Sequence, residues 1–251
     1  MKISVITAVY NRAATVGESL RSSCDQRHAN IERVVIDGGS TDSTIDVVRS
    51  FGDRIDTLVS EADHGIYDAL NKGVAVARGD VIGFLHADDL FSDDAALSRV
   101  AATMTDPSVA AVYGDLIYVS KGQPDRVVRD WRAGEFSPAK LRRGWMPPHP
   151  TLYVRRSVFE SVGRFDTTLR IAADYDWMLR LLLAGHRLAY IPQVQVRMRT
   201  GGASNRSVGN IMRKSGEDFA ALRRNGFSVA GATTTLMAKN LRKLPQLVRR
   251  R

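Results

Sequence analysis

Acidic residues placed where acids are costly are the chemically informative part of this 251-residue chain. The stretch FLHADDLFSDD, residues 84–94, follows apolar Val81 and Ile82, and runs through Phe84 and Leu85 into His86 and the adjacent carboxylates Asp88 and Asp89. Unneutralised charge at the end of a buried strand is expensive, whereas a divalent cation turns the same carboxylates into ligands. Mg²⁺ and Mn²⁺ take one or two carboxylates from a protein and complete their shell with phosphate and water. Asp93 and Asp94 read instead as a cap for the helix that follows, and His86 as a hydrogen-bonding wall residue. Three further strand-like runs end in polar groups: Tyr10 and Asn11, Asp37 with Gly38 and Gly39, and Glu61 with Asp63. Ligands of open α/β sheets collect beyond the carboxyl ends of the strands, so these ends predict one shared site for a phosphate-bearing ligand. A P-loop is excluded by the lack of GxxxxGK[ST], and a dinucleotide site is disfavoured by the lack of GxGxxG after the first strand. A nucleotidyltransferase would also use carboxylates and Mg²⁺, but AVYNRAATVG lacks the glycine-rich, basic character needed to grip a triphosphate.

The elements that must hold these residues alternate. ISVITAV (3–9) is a β-branched strand, and Thr15 with Glu18 forms a capping-box pattern on the helix that places Val16 and Leu20 one turn apart. IERVVID (31–37), a helix in GGSTDSTIDVVRSFG stopped by Gly52, IDTLVSE (55–61), a helix near 66–77 and DVIGFLH (80–86) continue the series. Such alternation predicts an α/β fold, a Rossmann-like, mainly parallel sheet flanked by helices. Regular winding stops after the next helix: strands are expected at 109–119 and 127–132, a rigid loop at WMPPHP (145–150), then strand-like TLYVR, helical VFESVG, the AADYDWMLRLLLAGH segment and strand-like LAYIPQVQV. The expected organisation is a nucleotide-binding half (1–105), an acceptor-binding half of the same domain (106–206) and a basic, helical C-terminal tail (207–251).

Composition bounds the alternatives. With 44% apolar and 25% charged residues the chain is an ordinary globular protein. Its single cysteine, Cys24, excludes an internal disulfide and fits a reducing cytoplasm. The N-terminal apolar run is too short for a secretion signal, and no stretch is long enough to span a bilayer. The net charge of +9 is concentrated in residues 207–251, which hold ten Lys/Arg against two acids. No nucleic-acid-binding motif accompanies it, so no nucleic acid is expected as a partner. Basic residues interleaved with Ile211, Phe219, Leu222, Phe227, Leu236, Met237, Leu241 and Leu244 suit an amphipathic helix on an anionic membrane surface, peripheral on the inner face of the cytoplasmic membrane. The alternative is a helix packed on the body with a solvated outer face.

TAVYNRAATVGESLRS, VVIDGGSTDSTIDVV and DHGIYDALNKGVAVARGDVIGFLHADD, in this order, resemble the inverting glycosyltransferases of family 2, which have the GT-A fold. The resemblance continues more loosely through PPHPTLYVRRSVFESVGRFD and AADYDWMLRLLLAGH, leaves the tail uncovered, and is nearest to bacterial enzymes of polysaccharide and glycolipid assembly. It implies Thr7, Ala8, Tyr10 and Asn11 as walls of a nucleoside pocket, Asp37 as acceptor for a base N–H, and Asn71, Lys72 and Gly73 as neighbours of the nucleotide. It implies Asp88 as the metal ligand, with Asp89 beside it, and Mn²⁺ or Mg²⁺ as the cofactor. His86 departs from the family by standing where the first acid of its DxD motif would be. Inversion requires the acceptor hydroxyl to lose its proton as it attacks, and the family's ED pair falls on Ala173 and Asp174, which makes Asp174 the expected base. Asp176, four residues before Arg180, reads as an ion pair. His149, fixed between prolines, is expected to face the diphosphate or acceptor, and Arg197, Arg199 and the 201–204 loop to close over the phosphates. The implied partners are a nucleotide-sugar donor, UDP-sugar first and dTDP- or GDP-sugar next, and a glycan or lipid-linked acceptor. A non-catalytic sugar-nucleotide-binding protein and a basic-tailed nucleic-acid binder remain as alternatives.

Overall fold

The computed structural model describes residues 1–201 and 208–242. Its first half winds as the alternation predicts: β1 (Ile3–Val9), α1 (Ala13–Cys24), β2 (Ile31–Asp37), α2 (Thr44–Arg49), β3 (Thr57–Ser60), α3 (Ile66–Val76) and β4 (Val81–Phe84). These four strands are parallel in the order β3-β2-β1-β4. All of β1 is buried, as expected of a central parallel strand covered on both faces. The short β5 (Leu90–Phe91) and α4 (Ala96–Thr103) follow.

The second half extends the same sheet with mixed directions. It consists of β6 (Ala111–Ser120), β7 (Gln123–Trp131), α5 (Pro138–Leu141), β8 (Tyr153–Arg155), α6 (Arg156–Val162), α7 (Ala173–Leu183) and β9 (Leu188–Arg199). β8 lies antiparallel between β4 and β6, β9 runs parallel to β6, and β5 closes against β9. The nine-stranded sheet therefore passes without interruption from one half into the other, with β7 paired to β6 off the main path.

One local expectation is corrected. α1 begins at Ala13, so Thr15 lies inside its first turn with an unpartnered hydroxyl, and the capping box does not form. The work is done from the neighbouring loop: the Arg12 N–H donates to Thr44 Oγ1 at 2.7 Å and the Ala13 N–H to Asp42 Oδ2 at 3.3 Å. Glu18 is thereby free to pair with Arg199. Val16 and Leu20 are buried, as their spacing requires.

The tail is the larger correction. α8 (Val208–Arg224) and α9 (Val229–Leu241) are helical, but they pack on the body: Ala221, Leu222 and Ala232 belong to its main core cluster, with Phe219, Phe227 and Leu236 against it. Four of the residues read as lipid-facing, Phe219, Leu222, Phe227 and Leu236, therefore point inward. The turn at Gly144 shows how close α9 comes. Gly144 has φ +72°, and a Cβ there would lie 2.4 Å from the Lys239 backbone nitrogen. Residues 202–204 and the tail beyond Arg242, with Lys243, Leu244, Leu247, Val248 and the arginines at 249–251, lie outside the described residues, so the expectations on them are not addressed by the structure.

Candidate active site

The loops after β1 and β2 are laced together at the carboxyl edge of the sheet. Asn11 adopts φ +50°, a left-handed conformation that Asn tolerates better than most residues. Its Oδ1 accepts the Thr41 N–H at 2.9 Å, and its own N–H donates to Ser40 Oγ at 2.9 Å. Next to it Tyr10 stands 56% exposed, whereas Thr7 and Ala8 are interior residues of β1. Asp37 is fully buried and spent on the loop: it accepts from the N–H groups of Gly39 and Ser40 at 3.1 Å and from Ser60 Oγ at 2.8 Å. Asp37 thus holds the turn after β2.

A cleft of about 190 Å³ opens between Asn11, Arg12, Asp42, Asp88, Lys121 and Arg199. Asp88 is partly exposed in it, while Asp89 is 1% exposed behind. Asp89 Oδ1 accepts the Arg199 N–H at 3.2 Å, and Oδ2 has no partner. Burial, and then the Asp88 charge, push the Asp89 carboxyl well above the ordinary range. The Arg199 guanidinium, itself 4% exposed, donates to the Asp88 carbonyl at 2.9 Å and to Glu18. Arg197 instead reaches Asp125 at 3.2 Å, away from the cleft lining. Asp93 holds the turn before α4 by accepting the Ala95 N–H at 2.8 Å, but Asp94 pairs with Arg27 and caps nothing.

This strand end fits a divalent cation held jointly with a ligand. A partly exposed carboxylate, Asp88, is followed by Asp89, which has a buried oxygen that lacks a partner. No group of three His, Cys, Asp or Glu side chains gathers among the described residues. The protein's share is one or two carboxylates, the share Mg²⁺ and Mn²⁺ accept when a diphosphate supplies the rest.

The second half brings a further carboxylate against α3 of the first. Asp174, in the first turn of α7, accepts from the Tyr67 hydroxyl at 3.1 Å and the Tyr175 N–H at 2.8 Å. Burial would raise its pKa, but His149, Lys214, the Tyr175 N–H and Lys239 together hold it below the ordinary carboxylate value. His149 is 7% exposed, stacked on Phe84 at 5.4 Å with Phe165 at its edge and His86 5.9 Å away. Its Nε2 has no partner. Burial pushes His149 down to about 4, opposed by Asp174. His86 is also lowered by burial, while Asp88 and Asp174 both pull it upward.

Asn71, Lys72 and Gly73 serve the frame. The Asn71 carboxamide pairs with the Phe165 main chain, donating to its carbonyl at 2.9 Å and accepting its N–H at 3.0 Å. Lys72 pairs with Glu61 at 2.8 Å, and Gly73 is buried where a Cβ would meet Ile6 Cγ2 at 2.4 Å. Asp176 forms the ion pair its spacing predicts, at 3.0 Å from Arg180, and accepts from Asn225 Nδ2 at 2.9 Å. Tyr67 and Lys121 went unnoticed in the sequence. A signal for Tyr67 existed: it stands four residues before Asn71, on one face of α3, and both reach the second half.

Comparison with known proteins agrees with this architecture. The family model described as Glycosyl transferase family 2 matches residues 4–165. A PGL/p-HBAD biosynthesis glycosyltransferase of Mycobacterium bovis (strain BCG / Pasteur 1173P2) is 34% identical over 182 residues, covering 70% of this chain and 68% of the relative. The structure of Staphylococcus aureus TarS 1–349 in complex with UDP-GlcNAc superposes with TM-score 0.72 at 18% identity, covering 98% of this chain and 73% of that one. The Pyrobaculum calidifontis mannosyltransferase PcManGT, in complex with GDP-Man and Mn²⁺, gives 0.69 at 23% identity, covering 98% and 72%. A half-parallel, half-mixed GT-A sheet, a carboxylate-lined cleft at its edge and a family match over most of that sheet lead to one conclusion: the chain belongs to glycosyltransferase family 2.

Proposed function

We propose that this enzyme is an inverting transferase that moves a sugar from a nucleotide-diphosphate donor, UDP-sugar first and dTDP- or GDP-sugar next, to a hydroxyl of a glycan or glycolipid acceptor. The partly exposed Asp88 in a cleft lined by Lys121 and Arg199 carries this reading, since it offers a candidate metal ligand where a diphosphate would meet basic side chains. Asn11 and Arg12, with Tyr10 exposed next to them in the chain, take the nucleoside side of the cleft, and Lys121 and Arg199 the diphosphate side. An Mn²⁺ or Mg²⁺ ion at Asp88 would neutralise charge on the departing diphosphate. Asp174 accepts the proton of the acceptor hydroxyl as its oxygen bonds to the anomeric carbon and the bond from that carbon to the diphosphate oxygen breaks, the electron pair leaving with the nucleotide. Tyr67 orients the carboxylate through its hydroxyl, and His149, uncharged above about pH 4, walls the site without competing for the proton. TarS bound to UDP-GlcNAc and a mannosyltransferase bound to GDP-Man and Mn²⁺ support the donor class and the metal. The test is a thermal-shift panel of UDP-, dTDP- and GDP-sugars with and without Mn²⁺. A metal-dependent rise for one nucleotide class is expected, and no response to any of them refutes the reading.

The membrane partner is proposed on narrower ground than the tail sequence offered. Although α9 buries one face, it exposes Val229, Met237 and Leu241, each about 60% accessible, along a single i, i+4 row, and leads into the basic C-terminal residues. An apolar row beside concentrated positive charge suits shallow docking on an anionic bilayer. No helix among the described residues is long and apolar enough to cross a membrane.

A further inference from the structure

The second half of the candidate base's environment comes from beyond the segment that resembles the family. Glu217 on α8 reaches the segment before α7 and accepts the N–H groups of Arg170, Ile171 and Ala172 at 3.2, 2.8 and 2.9 Å. Donors at the start of a helix have no partner within it, so this carboxylate fixes the turn from which Asp174 projects. Behind it, Lys214 of α8 and Lys239 of α9 share one carboxylate, Asp218, at 3.2 and 2.8 Å. Asp218 is 3% exposed, and the Lys239 ammonium lies 3.3 Å from the centroid of the Tyr175 ring, next in sequence to Asp174. Two ammonium groups thus meet over one buried carboxylate, against the ring of the residue that follows Asp174, and both favour the charged form of Asp174.

We propose that α8 and α9 are part of the catalytic apparatus: Glu217 sets the position of Asp174, and Lys214 with Lys239 supplies the positive charge that holds it ready as an anion. These are positioning residues, and the proposal rests on the reading of Asp174 as base. The groups that face Asp174 are Tyr67 of α3, His86 and His149 from the loops after β4 and before β8, its neighbour Tyr175, Lys214 of α8 and Lys239 of α9, with Glu217 on the preceding turn. His149 is uncharged at neutral pH, so the cation of this set that persists there is Lys214 of the tail. Lys214 is raised above its ordinary value despite its burial, by Asp218 and Asp174. Lys239 is pushed down to about 7 by burial, against the pull of Asp218, and so loses charge as pH rises through neutrality.

The experiment follows the Asp174 side-chain carboxyl by ¹³C NMR in the full chain, assigned by its loss in Asp174→Asn, as pH is varied. An opposite charge within a few ångströms moves a carboxyl by about one to three pH units. Lys214→Met and Lys239→Met should each raise the Asp174 midpoint by about one unit or more, Lys214→Arg should restore it, and UDP affinity should stay unchanged. Nucleotide release from UDP-GlcNAc and GDP-mannose is measured alongside, and the acidic limb of whichever reaction proceeds should climb by the same amount in the Met variants. Unmoved midpoints in two folded Met variants overturn the proposal while leaving the base assignment intact. Full turnover by Asp174→Asn overturns the base assignment, and with it the catalytic meaning of the coupling, even where the midpoints move.

Discussion

Replacing Asp174 by Asn changes one property of the site and preserves most others. An Asn oxygen can still accept from the Tyr67 hydroxyl and the Tyr175 N–H, the two bonds that hold the native carboxylate at 3.1 and 2.8 Å. What disappears is the capacity to take a proton. A positioned general base contributes about 10²–10⁴ in rate, which is about 3–5 kcal/mol of barrier. Asp176→Asn, two residues along, is the matched control: it breaks an ion pair with Arg180 in which Asp176 is 8% exposed, and should cost about 1.5–3 kcal/mol of stability with little effect on turnover. The assay pairs nucleotide release at saturating donor with thermal unfolding. Because the Asp174 pKa is depressed in the fold, its ionisation contributes stability above the unfolded value of about 3.9, a contribution lost as pH falls through the folded value. The unfolding difference between Asp174→Asn and the parent should therefore narrow in acid. A variant pair in which Asp176→Asn loses the rate and Asp174→Asn keeps it would refute the assignment.

Asp88→Ala should abolish the Mn²⁺-dependent tightening of nucleotide binding while unfolding at an unchanged temperature, and full metal-dependent binding by this variant would remove Asp88 from the metal. His149, pushed down to about 4 by burial, binds its proton more readily when unfolded. Stability should thus fall as pH drops from about 6.5 towards 4, and His149→Gln should flatten that slope in a denaturant series; an equal slope in the variant would contradict its burial. Full-length protein should sediment with anionic vesicles at low salt and release at high salt, each cation near the surface being worth about 1 kcal/mol. Met237→Gln with Leu241→Gln should weaken that binding, and equal sedimentation with neutral vesicles would end the membrane proposal. Cutting the chain at residue 235 is unsuitable for this purpose, because Thr235 and Lys239 are built into the body.

Local periodicity carried most of the first half. Alternating β-branched and helical runs wrote β1 to β4 into the sequence, because each is a short element whose pattern is set by its own neighbours in the chain. The polar strand ends are legible for the same reason: Asn11 follows β1, Asp88 follows β4, and Asp174 stands in the first turn of α7. The partners each would choose were not legible. Asp37 and Asn71 look alike as polar residues near a nucleotide, yet one closes its own loop and the other clasps Phe165, 94 residues away. Hydrogen bonds across such separations depend on which loops the sheet order brings together, and no local pattern records that. The tail shows the limit most clearly. Its charges were counted correctly, and their direction was not, since basic residues interleaved with apolar ones describe a membrane helix and a packed helix equally well. Tertiary contact chose between them at Gly144, Leu222 and Asp218, turned Lys214 and Lys239 inward onto Asp218, and left Met212 of α8 and Val229, Met237 and Leu241 of α9 facing outward.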